Sequence, residues 1–534
     1  EVPAGSIIDE AMHIDIPPEG FETIGEALPV LIPENVPAGE ASDSGGSGGC
    51  FFEYAYNVQN LWVSIMSEET RLVPQDGYLT LESEVFVTIN DQNDPFGLDL
   101  SAVCLDSECT GYVLPFPVTL QARVDLNLAD ADGDGVNDLD ATIGDLVLTD
   151  GFSGDFVILE CTLGQVLGAL NSLGVDIYGF ILNAVFPILE GELNEQIPTL
   201  EAEIEESFAS VNINEEFEVG DARLSFSLQP QELTIVPEGM RLAFQGSTDI
   251  DNQASCIADY DTGGSKETSG TPSAVGDFPV AGDIGILVSD EFVNQALYSI
   301  WRGGLLCQTI DEETFALDTS ILNLLTGDAF QEFFPETKPM VLSIDPQAEP
   351  TLQMNTTHDL SADISQLKLN FVTEVDFRQS QVLSVDLQAN VGIDFPFDAS
   401  TGLLTGDIAL DPSQMTPTVD INEFLPGQNE NLESSLSSQL GTVLNLVDLE
   451  SLTGDLEFNL PAINGLGLTQ IEMEGTGSAG EDFGLFASLG EVPYEGGCGA
   501  GEDAESGCSV QKTPRGKLLL AFVLLLVGYM RRTR

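Results

Sequence analysis

The sequence repeats one order of elements on either side of a segment rich in Gly, Ser, Thr and Pro at residues 261–282. Before this segment, apolar residues alternate over 12–16 as in a short β-strand, and a helical pattern follows from Pro17. After it, an apolar strand at 284–288 precedes a helix that Ser289 is placed to cap. This repetition restricts the chain to folds with two similar halves.

Each half continues with strands and then a longer amphipathic helix. Apolar residues recur every three or four positions over 178–208 in the first half and over 432–447 in the second. Alternating patterns typical of half-buried strands surround these helices, as at 78–89 and 367–376. The order of strand, helix, strands, long helix and strands, found twice, predicts an α+β fold of two tandem modules.

Composition places the module boundaries. We predict an N-terminal module at residues 1–260, a linker at 261–282 and a C-terminal module at 283–490. A stretch rich in Gly and Glu at 491–510 is expected to form an acidic stalk, and 511–534 a hydrophobic tail. The two modules are therefore expected to be of similar size.

Three stretches of the chain, at 193–246, 288–306 and 424–489, follow one another in an order that resembles that of a known family. The first contains Leu-Thr-Ile-Val-Pro-Glu-Gly-Met-Arg-Leu, and the second contains Val-Asn-Gln-Ala-Leu-Tyr-Ser-Ile-Trp-Arg-Gly-Gly. Over residues 10–490 the chain resembles the tubular lipid-binding superfamily, which includes the bactericidal/permeability-increasing, lipopolysaccharide-binding and lipid-transfer proteins. The resemblance implies two elongated modules, each a highly curved antiparallel sheet wrapped around a long helix and holding one phospholipid-like molecule.

The apolar faces of the predicted helices are our candidates for the lining of these lipid sites. Burial of acyl methylenes stabilises a complex by about 0.8 kcal/mol each. An apolar tube therefore binds lipid without distinguishing one lipid from another. The alternative is that the same residues form an ordinary core. The candidates are Phe21, Ile24, Leu28, Leu182, Val185, Leu189, Leu193, Val293, Leu297, Ile300 and Trp301.

The charge of the chain excludes several partners. The formal net charge is -74, and six of the 15 basic residues lie at Lys512 or beyond, so residues 1–510 carry 9 − 89 = −80. Such a surface repels nucleic acid and anionic head groups. Family members that capture lipopolysaccharide use a cationic tip, whereas the N-terminal half of this sequence has only four basic residues before Lys266 of the linker: Arg71, Arg123, Arg223 and Arg241. The charge therefore argues against lipopolysaccharide capture by a basic patch and leaves open lipid carriage or the binding of a neutral or zwitterionic lipid.

An Asp-rich run at 130–138 has the spacing of a calcium-binding loop. Side-chain oxygens at positions one, three, five and nine, a carbonyl at seven and a glycine at six would supply most of a Ca²⁺ shell. Position twelve is Ala141, so a bidentate ligand is missing, and a solvated acidic hairpin is the alternative. The candidate ligands are Asp130, Asp132, Asp134, Val136 and Asp138.

Eight cysteines are expected to form disulfides in an oxidising compartment. Cys104 and Cys109 are close in sequence and are predicted to pair. The other cysteines of the modules leave three pairings open, and two more cysteines lie in the terminal segment. Those of the modules are Cys50, Cys161, Cys256 and Cys307, and those of the terminal segment are Cys498 and Cys508.

The C-terminal segment resembles a surface-sorting tail of the myxobacterial type. Gly507-Cys508 precedes an apolar run of 13 residues at 518–530, and the chain ends in Arg-Arg-Thr-Arg. This run is shorter than the ~20 residues that span a bilayer, which favours a processing signal with Cys508 as the processed residue. The basic end is expected to stay cytoplasmic, with the bulk of the chain exported and anchored to a membrane or cell surface.

No pattern in the sequence indicates an enzyme. The chain has only His13 and His358, it lacks nucleophile, zinc, phosphate-loop and dinucleotide motifs, and no carboxylate pair is singled out by spacing. We therefore expect a non-enzymatic protein that binds or transfers lipid. The alternative is an acidic, calcium-stabilised surface protein, serving structure or adhesion without lipid cargo.

Overall fold

A computed structural model of the chain describes residues 2–492 with internal gaps. The gaps are 27–34, 46–52, 103, 131–136, 146, 150–155, 220–221, 262, 267–272, 305–306, 312–316, 355–356, 411–413, 445–455, 460–465 and 478–481. Between 162 and 212 it describes only residues 179, 185–187, 191, 194, 197, 198 and 201, all of them helical.

The first half contributes an antiparallel sheet whose core is formed by alternating apolar residues. Its strands are β3 (Asn35–Gly45), β4 (Tyr54–Pro74), β5 (Leu79–Ile89), β6 (Phe96–Ala102), β7 (Leu105–Ala129), β8 (Asp138–Ile143), β9 (Val147–Thr149) and β10 (Phe156–Cys161). The described strands follow the order β10-β7-β5-β4-β3, with β6 paired to β4 and β7, and with β8 and β9 paired to β7. β7, 25 residues long, thus connects most of the sheet.

The second half contributes a similar antiparallel sheet. Its strands are β16 (Gln308–Ile310), β17 (Met340–Pro346), β18 (Thr351–Met354), β19 (Leu360–Val375), β20 (Arg378–Asp394), β21 (Phe397–Asp398), β22 (Leu403–Leu410), β23 (Thr416–Ile421) and β24 (Leu456–Asn459). Among the described residues the order is β16-β17-β19-β20-β22-β21, with β18 on β19, β23 on β20 and β24 on β22. β19 and β20 form the long hairpin at its centre.

A third sheet, which we call the central sheet, joins the two halves. Its strands are β2 (Ile8–Ile16), β11 (Ile213–Val219), β12 (Ala222–Val236), β13 (Gly239–Ile250), β15 (Ile284–Ser289), β25 (Leu466–Thr476) and β26 (Asp482–Glu491). Its order is β11-β12-β13-β2-β15-β26-β25, all antiparallel. Strands from opposite sides of the predicted linker therefore lie side by side, with Asp15 opposite Gly285. A short pair, β1 (Val2–Pro3) with β14 (Gly264–Ser265), lies apart from it.

Besides the helical residues between 162 and 212, four helices are described with their bounds: α1 (Pro18–Glu26), α2 (Asp290–Arg302), α3 (Thr319–Leu325) and α4 (Asn429–Leu444). The predicted cap of α2 is present, because the Phe292 amide donates to the Ser289 hydroxyl at 3.2 Å. Leu432 and Leu436 of α4 pack against the second-half sheet in one cluster with Phe371. Among the described residues the fold is predominantly β-structure, with curled sheets and few helices, so the α+β balance of the prediction is not confirmed there.

The predicted disulfide between Cys104 and Cys109 is wrong. Cys109 is bonded to Cys161 across the neighbouring strands β7 and β10, and Cys104 forms a separate disulfide. Cys104 stands in the turn before β7, so an extended strand separates the two by roughly 16 Å, beyond the ~7 Å that a disulfide spans. The second described bridge, Cys256–Cys307, joins two of the four cysteines whose pairing was left open. Because Cys161 is bonded to Cys109, none of the three complete pairings of those four cysteines is formed.

A buried ion pair ties the segment before β15 to the central sheet, on the side opposite its apolar face. Arg241 donates through Nε and Nη2 to both oxygens of Asp15, at 2.8 and 2.6 Å, and through Nη1 to the Ser273 carbonyl at 2.8 Å. Gly276 donates its amide to Asp15 at a φ of +73°, where a Cβ would lie 2.2 Å from the Glu238 carbonyl oxygen. Part of the predicted linker is therefore a fixed strap over this sheet.

His13 lies in β2 beside this ion pair. It is buried, and its Nε2 has no hydrogen-bond partner among the described residues. Burial, with a smaller contribution from the charge of Arg241, lowers the pKa of His13 from its usual 6.5 to about 4.

We expect His13 to make the fold sensitive to acid. The unfolded chain takes up a proton near pH 6.5 and the folded chain only near pH 4, so stability is lost as the pH falls through that window. Between pH 7 and pH 5 the loss should be about 2 kcal/mol, measured by chemical denaturation. His13→Leu should remove this contribution to the pH dependence of the free energy of unfolding. An identical pH dependence in the variant would show that His13 is not the group responsible.

Candidate functional site

Two apolar clusters lie where the central sheet meets the sheet of each half, and we call them the first and second junction clusters. The first combines side chains from α1, β7 and β8 with others from β2, β12 and β13. Ile197, from the helical residues between 162 and 212, also belongs to it. Its buried members are Ile16, Phe21, Leu79, Ala122, Val124, Leu126, Leu139, Ala141, Ile143, Ile197, Ile235 and Met240.

The second junction cluster joins the central sheet and α2 to the near ends of β18, β19 and β22. Phe292, fully buried, packs against Phe226 with ring centroids 5.3 Å apart, and Leu360 and Leu404 come from the second-half sheet. Several apolar side chains at its edge are only half-buried, so the protein does not enclose them completely. These include Ile393, Phe397, Leu468, Ile471 and Met473.

Polar contacts join helix α2 to three neighbouring segments of the chain. The Gln295 carbonyl oxygen accepts from the Thr248 amide at 2.8 Å, and its amide group donates to the Pro3 and Ser6 carbonyls. The Leu352 amide donates to Asn294 Oδ1 at 3.2 Å. The helix therefore holds the N-terminal segment, β13 and the second-half sheet in one arrangement beside the second junction cluster.

A cleft of about 640 Å³ opens beside the second junction cluster. One wall is β25, and the other is formed by the end of β20, by β21 and by β22. Its lining is apolar in part, with four carboxylates and two further polar residues. The lining residues are Asp359, Asp394, Phe395, Pro396, Phe397, Ala399, Asp407, Thr469, Gln470, Ile471, Glu472 and Met473.

Hydrogen bonds hold one wall of this cleft in place. His358 Nδ1 lies 2.9 Å from Asp394 Oδ2, while the Asp359 amide donates to Asp394 Oδ1 at 3.2 Å. The Phe395 amide in turn donates to Asp359 Oδ2 at 2.7 Å. Gly392 leaves room for the histidine, since a Cβ there would lie 2.3 Å from its ring. Two of the four lining carboxylates therefore have a structural role in addition to their charge.

The structure places the predicted lipid-lining residues in several clusters. Phe21 and Ile24 belong to the first junction cluster or its edge. Val185 is buried in the core of the first-half sheet, away from the junction. Leu28, Leu182, Leu189 and Leu193 lie outside the described residues.

The predicted residues of α2 divide between its two faces. Val293, Leu297 and Ile300 belong to the second junction cluster. Trp301 packs instead with Ile257 and Tyr298, and its indole N–H donates to the Pro346 carbonyl at 2.9 Å. Its contacts therefore anchor the helix to the second-half sheet.

The calcium and processing sites fall mostly outside the described residues. Asp130 is exposed just after β7, and Asp138 begins β8 opposite Ala129. Asp132, Asp134, Val136 and Cys508 are not among the described residues. Within the described ranges no group of three or more metal-ligating side chains occurs.

The sequence analysis missed the residues that line the cleft. Ile471 and Met473 alternate along β25 with the exposed Glu472 and Glu474, which is the period of a half-buried strand. That alternation indicated one apolar face but not what the face meets. Phe397 stood in a short loop-like segment and carried no such signal.

No helix within the described ranges is both long enough and apolar enough to cross a membrane.

Comparison with known proteins was informative only at the level of structure. No family model matches the sequence, and no curated protein matches it. P47 of Clostridium botulinum E1 aligns over 92% of this chain and 100% of its own, at 9% identity, but its TM-score of 0.25 carries no argument. The crystal structure of lipopolysaccharide binding protein aligns over 91% of this chain and 100% of its own, with a TM-score of 0.54 and 15% identity. The chain is therefore similar to lipopolysaccharide binding protein in fold, which confirms the predicted resemblance at that level.

Proposed function

We propose that this chain is a non-enzymatic lipid-binding protein that encloses acyl chains where its central sheet meets the two outer sheets. The observation that carries the proposal is the cleft beside the second junction cluster. Its volume of about 640 Å³ lies within the range of small-molecule sites, roughly 300–1,000 Å³. Half-buried apolar side chains such as Ile471 and Met473 face this space without filling it.

The chemistry of the lining favours a particular arrangement of the lipid. Acyl methylenes would contact Phe395, Phe397 and Met473, with a gain of about 0.8 kcal/mol for each methylene buried. Asp407 and Glu472 are exposed at the same cleft, so a negatively charged head group would be repelled there. We therefore propose a neutral or zwitterionic lipid as ligand.

The first junction cluster is the proposed site of a second lipid molecule. Half-buried Ile24, Leu72 and Leu81 lie at its edge, as comparable residues do at the second cluster. Lipopolysaccharide is the ligand of the structural neighbour and is not proposed as the ligand of this chain. The similarity of fold and the two junction clusters together support one lipid per half.

Export, surface anchoring and calcium binding form part of the same proposal. Disulfides such as Cys109–Cys161 and Cys256–Cys307 suit an oxidising compartment, and the apolar run at 518–530 with its basic end suits a membrane-directed tail. The Asp-rich hairpin tip at 130–138 is the proposed calcium site. Its ion would stabilise the hairpin and take no part in lipid binding.

Native mass spectrometry of the purified full chain tests the lipid proposal. We expect one or two phospholipid-sized adducts, and the delipidated protein should take up fluorescent phosphatidylcholine at up to two per chain. An empty chain that also takes up no lipid would contradict the proposal. That result, together with a melting temperature lowered by a calcium chelator, would favour the calcium-stabilised structural protein.

A further inference from the structure

The hairpin between β19 and β20 has an unusual tip. Val375 pairs with Arg378, so only Asp376 and Phe377 form the turn. Their φ angles are +48° and +64°, which is the left-handed conformation required at both positions of a type I′ turn. Asn and Gly are the residues that suit such positions, and a bulky aromatic side chain there is strained.

Phe377 is also the most exposed large hydrophobic residue in the described chain. Its side chain is 95% exposed, whereas the next, Ile7, is 64% exposed. Phe377 is thus unfavourable at its position both for the backbone and for contact with water. Because Phe377 is disfavoured both by its left-handed backbone conformation and by its exposure to water, its presence points to a role other than folding.

Two cations flank this aromatic ring in an otherwise acidic protein. Arg378 is exposed next to it, and Lys338 Nζ donates to the Glu374 carbonyl oxygen at 3.0 Å, at the base of the tip. Neither forms an ion pair with a carboxylate within the described parts of the structure. Most other described cations do so: Arg71, Arg123, Arg223, Arg241, Arg302 and Lys368.

We propose that this hairpin tip is a contact site for a phospholipid bilayer. Phe377 would enter the boundary between head groups and acyl chains, where an aromatic ring is favoured. Arg378 and Lys338 would lie beside the lipid phosphates, which both zwitterionic and anionic phospholipids carry. Glu374 and Asp376 balance these two cations, so the tip is close to neutral and can approach a membrane that would repel the rest of the surface.

The tip is well separated from the cleft. β19 and β20 run from Leu360 and Ile393, at the second junction cluster, to Val375 and Arg378 at the tip. A strand of 16 residues covers roughly 50 Å along its path. Membrane contact through the tip is therefore independent of lipid in the cleft, and the two proposals can fail separately.

Sedimentation of the chain shortened to residues 1–510 with sucrose-loaded phosphatidylcholine vesicles tests this proposal, because the apolar run at 518–530, which is proposed to be membrane-directed, is then absent. Phe377→Asn should weaken vesicle binding about tenfold, since it removes the inserted ring. The same change should leave the melting temperature unchanged or raise it, because Asn suits the left-handed turn. Met66→Asn, which changes an exposed apolar residue of the first-half sheet, is the matched control and should bind as the parent does.

A second measurement detects insertion of the ring directly, so that the test does not rest on loss of binding alone. Phe377→Trp should show a blue-shifted tryptophan emission when vesicles are added, above the constant background of Trp62 and Trp301. Arg378→Gln should weaken binding, whereas Arg223→Gln, which removes a cation already paired with Glu216, should not. Vesicle binding that is absent in the parent or unchanged in Phe377→Asn would overturn the proposal, as would an unshifted emission.

Discussion

Replacing Arg241 with leucine should lower the free energy of unfolding by about 3–5 kcal/mol, because it leaves the Asp15 carboxylate buried without its partner. Burial raises the pKa of Asp15, and the hydrogen bonds and charge of Arg241 oppose that rise. Without the guanidinium the Ser273 carbonyl also loses its donor, and the strap over the central sheet is released. Urea denaturation at pH 7 measures the effect.

The double variant Asp15→Leu/Arg241→Leu is the matched control. Removing both charges together leaves no unpaired ion, so most of the lost stability should return. A double variant as unstable as Arg241→Leu would show that the two residues act through packing rather than as an ion pair. A stable Arg241→Leu single variant would contradict the prediction directly.

Replacing Met473 with aspartate should reduce lipid uptake by the cleft about a hundredfold, because a carboxylate would face acyl chains without a partner. Met473 is half-buried, so the change should be tolerated by the fold, unlike a charge at the buried Ile300. Titration with fluorescent phosphatidylcholine measures uptake, and native mass spectrometry gives the number of molecules bound. The stoichiometry should fall from two to one, since the first junction cluster is unchanged.

Glu474→Gln provides the control for this variant. Glu474 lies on β25 one residue further along, is exposed and does not line the cleft, so uptake should match the parent. Uptake by Met473→Asp equal to that of Glu474→Gln, in a protein with an unchanged melting temperature, would show that lipid does not occupy the cleft.

Local signals allowed much of the secondary structure to be predicted. The apolar run at 284–288, Ser289 as a cap and the spacing of Val293 and Leu297 predicted β15 and α2 to within a residue of their observed bounds. Each signal depends on residues a few positions apart, whose geometry the chain fixes by itself.

Contacts between distant residues could not be predicted in the same way. The pairing of Cys109 with Cys161 depends on β7 lying beside β10, and the pairing of β2 with β15 joins residues about 270 positions apart. A strand's alternation shows that one face is apolar but not which strand it meets. The cleft was missed for the same reason, since Met473 and Phe397 become neighbours only when β25 and β21 approach each other.

The place of β26 in the central sheet has a consequence for biosynthesis. It is the neighbour of β15, which in turn covers β2 near the N-terminus. Until β26 has left the ribosome, the backbone N–H and C=O groups on one edge of β15 therefore have no partner strand, and the central sheet is incomplete. Nascent chains are expected to be vulnerable to aggregation until β26 has been synthesised, and a chaperone that masks this edge would raise the yield of native protein.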